Sequence, residues 1–220
     1  MSELTLISLK RVARDYVLAL SEARIRELHG TTDGKAVGTY VEHGFHEYLR
    51  AKKFKYARGS SANGIDFPSL DVDLKVTSIN QPQSSCPFRS ASQKVFGLGY
   101  HLLIFIYEKT DDSRTRVARL NFRHAVFVDR ERTADYQTTS GLRELLDRNG
   151  NKDDIVAFLE DRNLPLDEIG RSALAEEILK RRPELGCLTV SNALQWRLQY
   201  GRVVGLASNG ETPGVESILA

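Results

Sequence analysis

Three aspartates and one lysine lie among apolar residues in the segment GIDFPSLDVDLK, residues 64–75. Carboxylates are hard oxygen ligands of the kind that magnesium binds, and a bound metal of this type serves phosphodiester hydrolysis. That reaction needs charge neutralisation on the phosphate, an activated water and a group that stabilises the leaving oxygen. A hairpin turn, or a strand face whose charges form salt bridges, gives a similar pattern. The segment therefore admits both a catalytic and a purely structural interpretation.

The spacing within this segment predicts a strand that carries two of the charged side chains. Residues 71–76 alternate charged and apolar side chains, which is the period-two pattern of a half-buried strand. Asp73 and Lys75 therefore share one face of this strand. Residues 67–69 are typical of a turn, which would join it to a short preceding strand carrying Ile65 and Asp66.

Two neighbouring strands of this kind would bring Asp66 and Asp73 to one cation. The backbone carbonyl of Leu74, between Asp73 and Lys75, would be a further oxygen ligand. Lys75 would orient the attacking water or stabilise its deprotonated form.

The same residues resemble the active-site signature of the PD-(D/E)XK nucleases. The pattern G-x-D-F-P-x-L-D-V-D-L-K, preceded by GSSANG, is similar to the DFPxLGVELK-like hairpin of the mismatch-repair nicking endonuclease and of related type II restriction enzymes. Six residues separate Asp66 from Asp73, as in that group. The resemblance is close over residues 59–78 and loose over residues 38–108.

This resemblance implies a role for each matching residue. Asp66 and Asp73 would be metal ligands, and Lys75 would be the catalytic lysine. The helix glutamate of the family would be Glu47 or, with a shifted register, Glu42. The chain departs from the pattern in having isoleucine before Asp66, where the family has proline, and aspartate rather than glutamate at position 73. Neither departure removes a ligand.

Several further residues are candidates for contacts with DNA. By the resemblance, Gln93 and Lys94 precede the next core strand and would lie near the phosphate. The loop ending the second predicted helix allows backbone amides to approach phosphates closely, and its candidates are Arg58, Ser60, Ser61 and Asn63. The segment TVSNALQWRLQYG, residues 189–201, is a candidate recognition helix. The side chains that it would present to base edges are Ser191, Asn192, Gln195, Arg197 and Gln199. Its apolar residues would equally suit a helix packed on the core.

Composition excludes several other classes of protein. The 220 residues are 41% hydrophobic, which is enough for a full core, and no apolar run reaches the roughly 18 residues of a membrane helix. No signal peptide is recognisable, so we expect a cytoplasmic protein. Cys86 and Cys187 are far apart and predicted to be buried thiols. The net charge is only +2, but five basic residues precede the aspartate segment: Arg50, Lys52, Lys53, Lys55 and Arg58.

Periodicity along the chain predicts an α/β fold with a mixed β-sheet core flanked by helices, and the resemblance implies that this fold is of the restriction-endonuclease type. Helices are predicted over residues 6–28 and 36–52, a short helix near residue 93, and strands in YHLLIFIYEK and RVARLNFRHAVFVD. We divide the chain into a catalytic core, residues 1–136, and a helical lobe, residues 137–220. The lobe would hold three or four helices, a strand in GRVVGLA and a polar tail from Ser208.

Two histidines on the second predicted helix raise the question of zinc. His43 and His46 lie in HGFHE, which matches neither HExxH nor HxxEH in order or spacing. We expect ordinary helix residues, either of which could reach DNA or water near the metal site.

The leading functional hypothesis is a magnesium-dependent type II restriction endonuclease that cuts both strands of DNA at a short sequence. Its partners would be double-stranded DNA, a second copy of the chain in a homodimer, and a cognate DNA methyltransferase. A repair nickase or resolvase would keep the same site. The alternative from another class is a non-catalytic nucleic-acid-binding module, in which the strand of Asp73 and Lys75 only forms salt bridges.

Overall fold

The computed structural model describes residues 2–59, 64–86, 89–191, 196–210 and 212–219, with backbone only at Trp196. Its helices are α1 (Leu6–Glu22), α2 (Gly34–Ala51), α3 (Gln93–Phe96), α4 (Tyr136–Asp147), α5 (Lys152–Asp161), α6 (Glu168–Lys180) and α7 (Gly201–Ser208). Its strands are β1 (Ser2–Glu3), β2 (Phe54–Lys55), β3 (Val72–Ser78), β4 (Gln83–Cys86), β5 (His101–Asp112), β6 (Val117–Val128), β7 (Thr189–Val190), β8 (Trp196–Gln199) and β9 (Val215–Ser217).

A four-stranded mixed sheet in the order β3-β5-β6-β9 forms the centre of the molecule. Strands β3 and β5 are parallel, and the other two pairs are antiparallel. The apolar run of β5 is buried from Leu102 to Tyr107, because helices cover one face of the sheet and a second sheet covers the other. The α/β fold with a mixed sheet flanked by helices is therefore confirmed.

Helices α1 and α2 pack on one face of the central sheet. Thr5 caps α1 through a reciprocal capping box with Ser8, and Asp33 caps α2. Their apolar faces join a core that includes Phe45, Phe67 and Phe105. Helix α1 ends at Glu22, earlier than the predicted end at residue 28, whereas the ends of α2 agree with the prediction to within about two residues.

A three-stranded antiparallel sheet in the order β4-β8-β7 covers the other face, together with α7. The recognition helix predicted over residues 189–201 is therefore wrong, since the described residues of this segment form β7 and β8. Leu198 and Tyr200 are buried, whereas Arg197 and Gln199 are exposed. That alternation is the period of a strand, and it was present in the sequence as W-R-L-Q-Y.

The helices α4, α5 and α6 share a third apolar cluster with residues of α3. The predicted lobe is helical only as far as Lys180, because the chain then returns to the core as β7, β8, α7 and β9. The strand predicted in GRVVGLA is wrong, since it forms α7, and the predicted polar tail contributes β9 to the central sheet. The boundary after residue 136 remains a prediction.

Candidate active site

A tight turn positions Asp66 beside the first residues of β3. Pro68–Leu70 form a single 3₁₀ turn, and Phe67 and Val72 pair across it. Asp71 closes the turn in the left-handed region, with φ of 52°, where the family pattern has glycine. The amide of Leu74 donates a hydrogen bond of 2.7 Å to Asp66 Oδ2. The predicted turn is confirmed, although Ile65 and Asp66 lie outside any strand.

Asp73 and Lys75 lie on the same face of β3, as their spacing predicted. Lys75 Nζ is 2.7 Å from Asp73 Oδ2. Burial raises the pKa of Asp73 to about 7, against the opposing charge of Lys75 and with a further rise from the adjacent Asp66 carboxylate. Burial acts to lower the pKa of Lys75, but the neighbouring Asp73 outweighs it and raises that pKa. Lys75 is thus a half-buried cation paired with the buried Asp73 carboxylate, which has a second carboxylate, Asp66, beside it.

Helix α2 brings Glu42 and His46 to the same place. One ligand atom from each of Glu42, His46 and Asp66 lies within 4.8 Å of the others. Burial, assisted by Asp66, raises the pKa of Glu42. His46 is 1% exposed, and burial lowers its pKa to about 4, so the imidazole is neutral at neutral pH. Its Nδ1 is 2.8 Å from the Tyr56 hydroxyl.

Glu42, Asp66, Asp73 and Lys75 line one cavity of about 380 Å³ at the edge of the central sheet. Three carboxylates line it, from Glu42, Asp66 and Asp73, against two cations, from Arg58 and Lys75. Leu74 lines it as well. Burial is the main reason that the pKa values of Glu42 and Asp73 rise, and the neighbouring Asp66 carboxylate adds to that rise. A hard divalent cation with oxygen ligands fits this donor set.

Residues 3–217 match the family model described as "Type II restriction enzyme NspV". The chain belongs to this NspV family. A curated relative, the type II restriction enzyme NspV of Nostoc sp. (strain ATCC 29411 / PCC 7524), is 54% identical over 218 residues, which cover 99% of this chain and 98% of the relative. No solved structure matches the chain. As a member of the NspV family, the chain is a type II restriction enzyme, a site-specific deoxyribonuclease.

In this NspV-family enzyme, one predicted site residue lies away from the cavity. Glu47 is exposed on α2, and its charge acts on Tyr16 and Tyr40 rather than on the aspartates. Glu42 lines the cavity instead. Glu42 is the helix glutamate that the resemblance gives when its register is shifted. Residues at i and i+4 share a helix face, so Glu42 and His46 point together while Glu47 does not.

Gln93 and Lys94, the predicted DNA contacts on α3 of this NspV-family chain, interact with other residues of the protein. Gln93 donates a hydrogen bond to the Leu98 carbonyl and accepts one from the Arg89 amide. Lys94 is 4% exposed, and although burial lowers its pKa, the nearby Asp135 opposes that shift. Neither residue lines the cavity of Asp66 and Asp73.

Of the remaining candidates for DNA contact in the NspV-family chain, the structure describes only Arg58, Ser191, Arg197 and Gln199. Arg58 is exposed and lines the active-site cavity, and Arg197 lines a second cavity beside it. The others lie outside the described residues: Ser60, Ser61, Asn63, Asn192 and Gln195. Among the residues that the structure covers, no helix is both long and apolar enough to cross a membrane. Both cysteines are buried thiols, as predicted.

Proposed function

We propose that this restriction enzyme hydrolyses phosphodiester bonds of double-stranded DNA with magnesium bound between Asp66 and Asp73. The observation that carries the proposal is the convergence of Asp66, Asp73 and Lys75 on one cavity that opens to solvent. The same arrangement on a turn and strand supports the likeness to PD-(D/E)XK nucleases.

The ligands in this proposal are oxygen atoms from three positions. The Leu74 amide holds Asp66 through Oδ2, and the Asp66 and Asp73 carboxyl groups lie within hydrogen-bonding reach of each other. Asp73 offers its carboxylate, and the Leu74 carbonyl is the third oxygen. Glu42 stands beside them, either as a direct ligand or through a water. When bound, magnesium supplies charge neutralisation at the phosphate and lowers the pKa of a bound water.

The basic residues act on the substrate in this proposal. Lys75 reaches the cavity from the same strand as Asp73 and donates hydrogen bonds to the attacking water, which favours its deprotonated form. Arg58 is exposed at the cavity rim and would contact a phosphate oxygen. The ring of His46 is held in place by packing against Tyr56 and Phe67. In this position it lies beside Glu42 and Asp66 and helps to orient their carboxylates.

The partners follow from the substrate. Cutting both strands at a short symmetric sequence needs one active site per strand, so we propose a homodimer with two-fold symmetry. A cell that carries such an enzyme must protect its own DNA, so the proposal includes a cognate DNA methyltransferase and a cytoplasmic location.

Plasmid cleavage tests the proposal. The purified protein should convert supercoiled plasmid to discrete linear fragments with magnesium and leave it intact with EDTA. Asp73→Asn should lower the cleavage rate by roughly 100-fold or more, because it removes a charged ligand. Asp71→Asn is the matched control, since Asp71 lies in the same turn but does not line the cavity. Cleavage in EDTA, or equal rates for wild type and Asp73→Asn, would reject the metal site.

A further inference from the structure

The small sheet β4-β8-β7 has one buried face and one polar face. Ser85 pairs with Arg197, Gln83 pairs with Gln199, and Thr189 pairs with Gln199 from the other side. These five residues form what we call the outer face. The alternate residues Cys86, Leu198 and Val190 are buried against the central sheet. The outer face is therefore a short polar surface whose register is fixed by burial of the opposite face.

The outer face carries hydrogen-bonding side chains that have no partner in the described part of the chain. Neither the Arg197 guanidinium nor the side chains of Gln83, Ser85 and Gln199 form hydrogen bonds or ion pairs with described residues. The charged residues of the β5–β6 hairpin differ, because Lys109 pairs with Asp111 and Arg123 pairs with Glu108. The outer face contains no carboxylate, although exposed strands routinely carry both charges.

The outer face adjoins the strand that carries the active site. The Thr77 hydroxyl accepts a hydrogen bond from the Gln83 amide, so the start of β4 is tied to β3 two residues beyond Lys75. At the other end of β4, the buried Cys86 lies near enough to Lys75 and Asp73 for their charges to act on it. Four residues of strand span about 13 Å, which is about four base-pair steps of DNA.

A groove connects this sheet with the edge of β3. A cavity of about 530 Å³ is lined by residues 76–78 of β3, by Gln83 and Ser85 of β4, and by Arg197 of β8. Lys35, at the start of α2, lines the opposite side and supplies a positive charge. The active-site cavity is lined by residues 73–75 of the same strand. The two cavities thus follow one another along β3.

We infer that the outer face reads base edges in the DNA major groove, with Arg197 and Gln199 as the principal specificity-determining residues. The inference rests on the proposed function, since it takes DNA to lie along β3 with a phosphate at Asp66 and Asp73. A two-stranded ribbon fits the major groove, where arginine pairs with guanine and glutamine with adenine through two hydrogen bonds each. Gln83, Ser85 and Thr189 supply further hydrogen bonds to base edges.

Binding measurements test this inference separately from cleavage. Oligonucleotides bound by the wild-type protein in calcium, which fills carboxylate sites, would first be selected from a random pool to define the preferred sequence. Arg197→Ala should then weaken binding of that sequence by roughly 10- to 100-fold, and binding of unrelated DNA by less than about twofold. Gln199→Ala should relax the selected sequence at a different base pair. Arg119→Ala is the matched control, because Arg119 is an exposed strand arginine on β6.

The alternative results overturn the inference in distinct ways. If Arg197→Ala weakens binding of preferred and unrelated DNA equally, and lowers the slope of log affinity against log salt by about one, Arg197 contacts a phosphate. If neither variant changes the selected sequence, the outer face does not read bases. Both results concern the outer face alone, because failure of the proposed metal site would appear as unaltered cleavage by Asp73→Asn.

Discussion

Glu42 and His46 lie one turn apart on α2, and both reach Asp66, whereas Glu47 lies on another side of the same helix. The three residues therefore differ in what they can do to the metal site, although they are separated by five positions at most. A carboxylate that reaches the cavity can hold the metal or one of its waters. A carboxylate on the exposed side of the helix cannot.

The first prediction compares the two glutamates by the same substitution. Glu42→Gln should lower kcat/KM for plasmid cleavage by roughly 10- to 100-fold and raise the magnesium concentration needed for half-maximal rate, because it removes a charge beside the metal. Glu47→Gln should leave both quantities within about twofold of wild type. Steady-state cleavage over a magnesium titration measures both. An equal loss in the two variants would contradict the position assigned to Glu42.

The choice between these glutamates could not be made from the sequence. Both fit a loose helix register, since the resemblance is weak before residue 59. His46 was likewise interpreted as an ordinary helix residue, and only the fold shows that its ring packs against Tyr56 and Phe67, close to the carboxylates of Glu42 and Asp66. The spacing of Glu42 and His46, at i and i+4, was the one signal available.

The turn that carries Asp66 depends on a close approach between two stretches of backbone. The amide of Gly59 donates a hydrogen bond of 2.9 Å to the Asp66 carbonyl. A Cβ on Gly59 would overlap the carbonyl oxygen of Ile65. Glycine is therefore required at this position for steric reasons, and the position of Asp66 depends on it.

The second prediction tests this dependence with two glycines. Gly59→Ala should reduce the cleavage rate by roughly 100-fold, because the segment that holds Asp66 must move by an ångström or more. Gly205→Ala, on the exposed side of α7 with open space around it, should leave the rate unchanged and stabilise the protein by up to about 1 kcal/mol. Cleavage assays and thermal unfolding measure the two effects. Full activity of Gly59→Ala would show that the turn tolerates displacement.

At the scale of elements, local sequence patterns predicted the turn and the strands whose buried and exposed residues follow a regular pattern. The turn at 67–70 and the strand β3 follow from Pro68 and from strict alternation, and β5 follows from an uninterrupted apolar run. Residues 189–201 were assigned wrongly because their helical and strand patterns coexist over a short stretch. Pairing with β4, more than 100 residues earlier, decides between them, and such pairing is not visible in local sequence.

Asp135 connects α4 with α3 and with β7. This buried carboxylate accepts hydrogen bonds from the Thr138 amide and hydroxyl at the start of α4, and from the Val190 amide of β7. Its own amide donates to the Lys94 carbonyl at α3. One side chain thus caps α4 and joins it to the sheet that forms the outer face.

The third prediction concerns the stability of the whole chain. Asp135→Ala should lower the free energy of unfolding by about 2–4 kcal/mol, because it removes a helix cap and leaves buried donors unsatisfied. Asp15→Ala, on the exposed side of α1, should change it by less than about 0.5 kcal/mol. Urea denaturation followed by circular dichroism measures both. An equally small decrease in the free energy of unfolding for Asp135→Ala would mean that other residues hold α4 against α3 and β7.

The central claim is that Lys75 serves catalysis rather than a salt bridge alone, and the chain offers a close control. Lys109 and Asp111 form an ion pair of 2.6 Å with the same spacing on β5, and neither residue lines the active-site cavity. Single-turnover cleavage of a mapped site in magnesium should be slower by roughly 100- to 1,000-fold for Lys75→Ala, with DNA affinity in calcium within about threefold of wild type. Lys109→Ala should cleave at the wild-type rate. Equal cleavage rates for the two lysine variants would contradict the account.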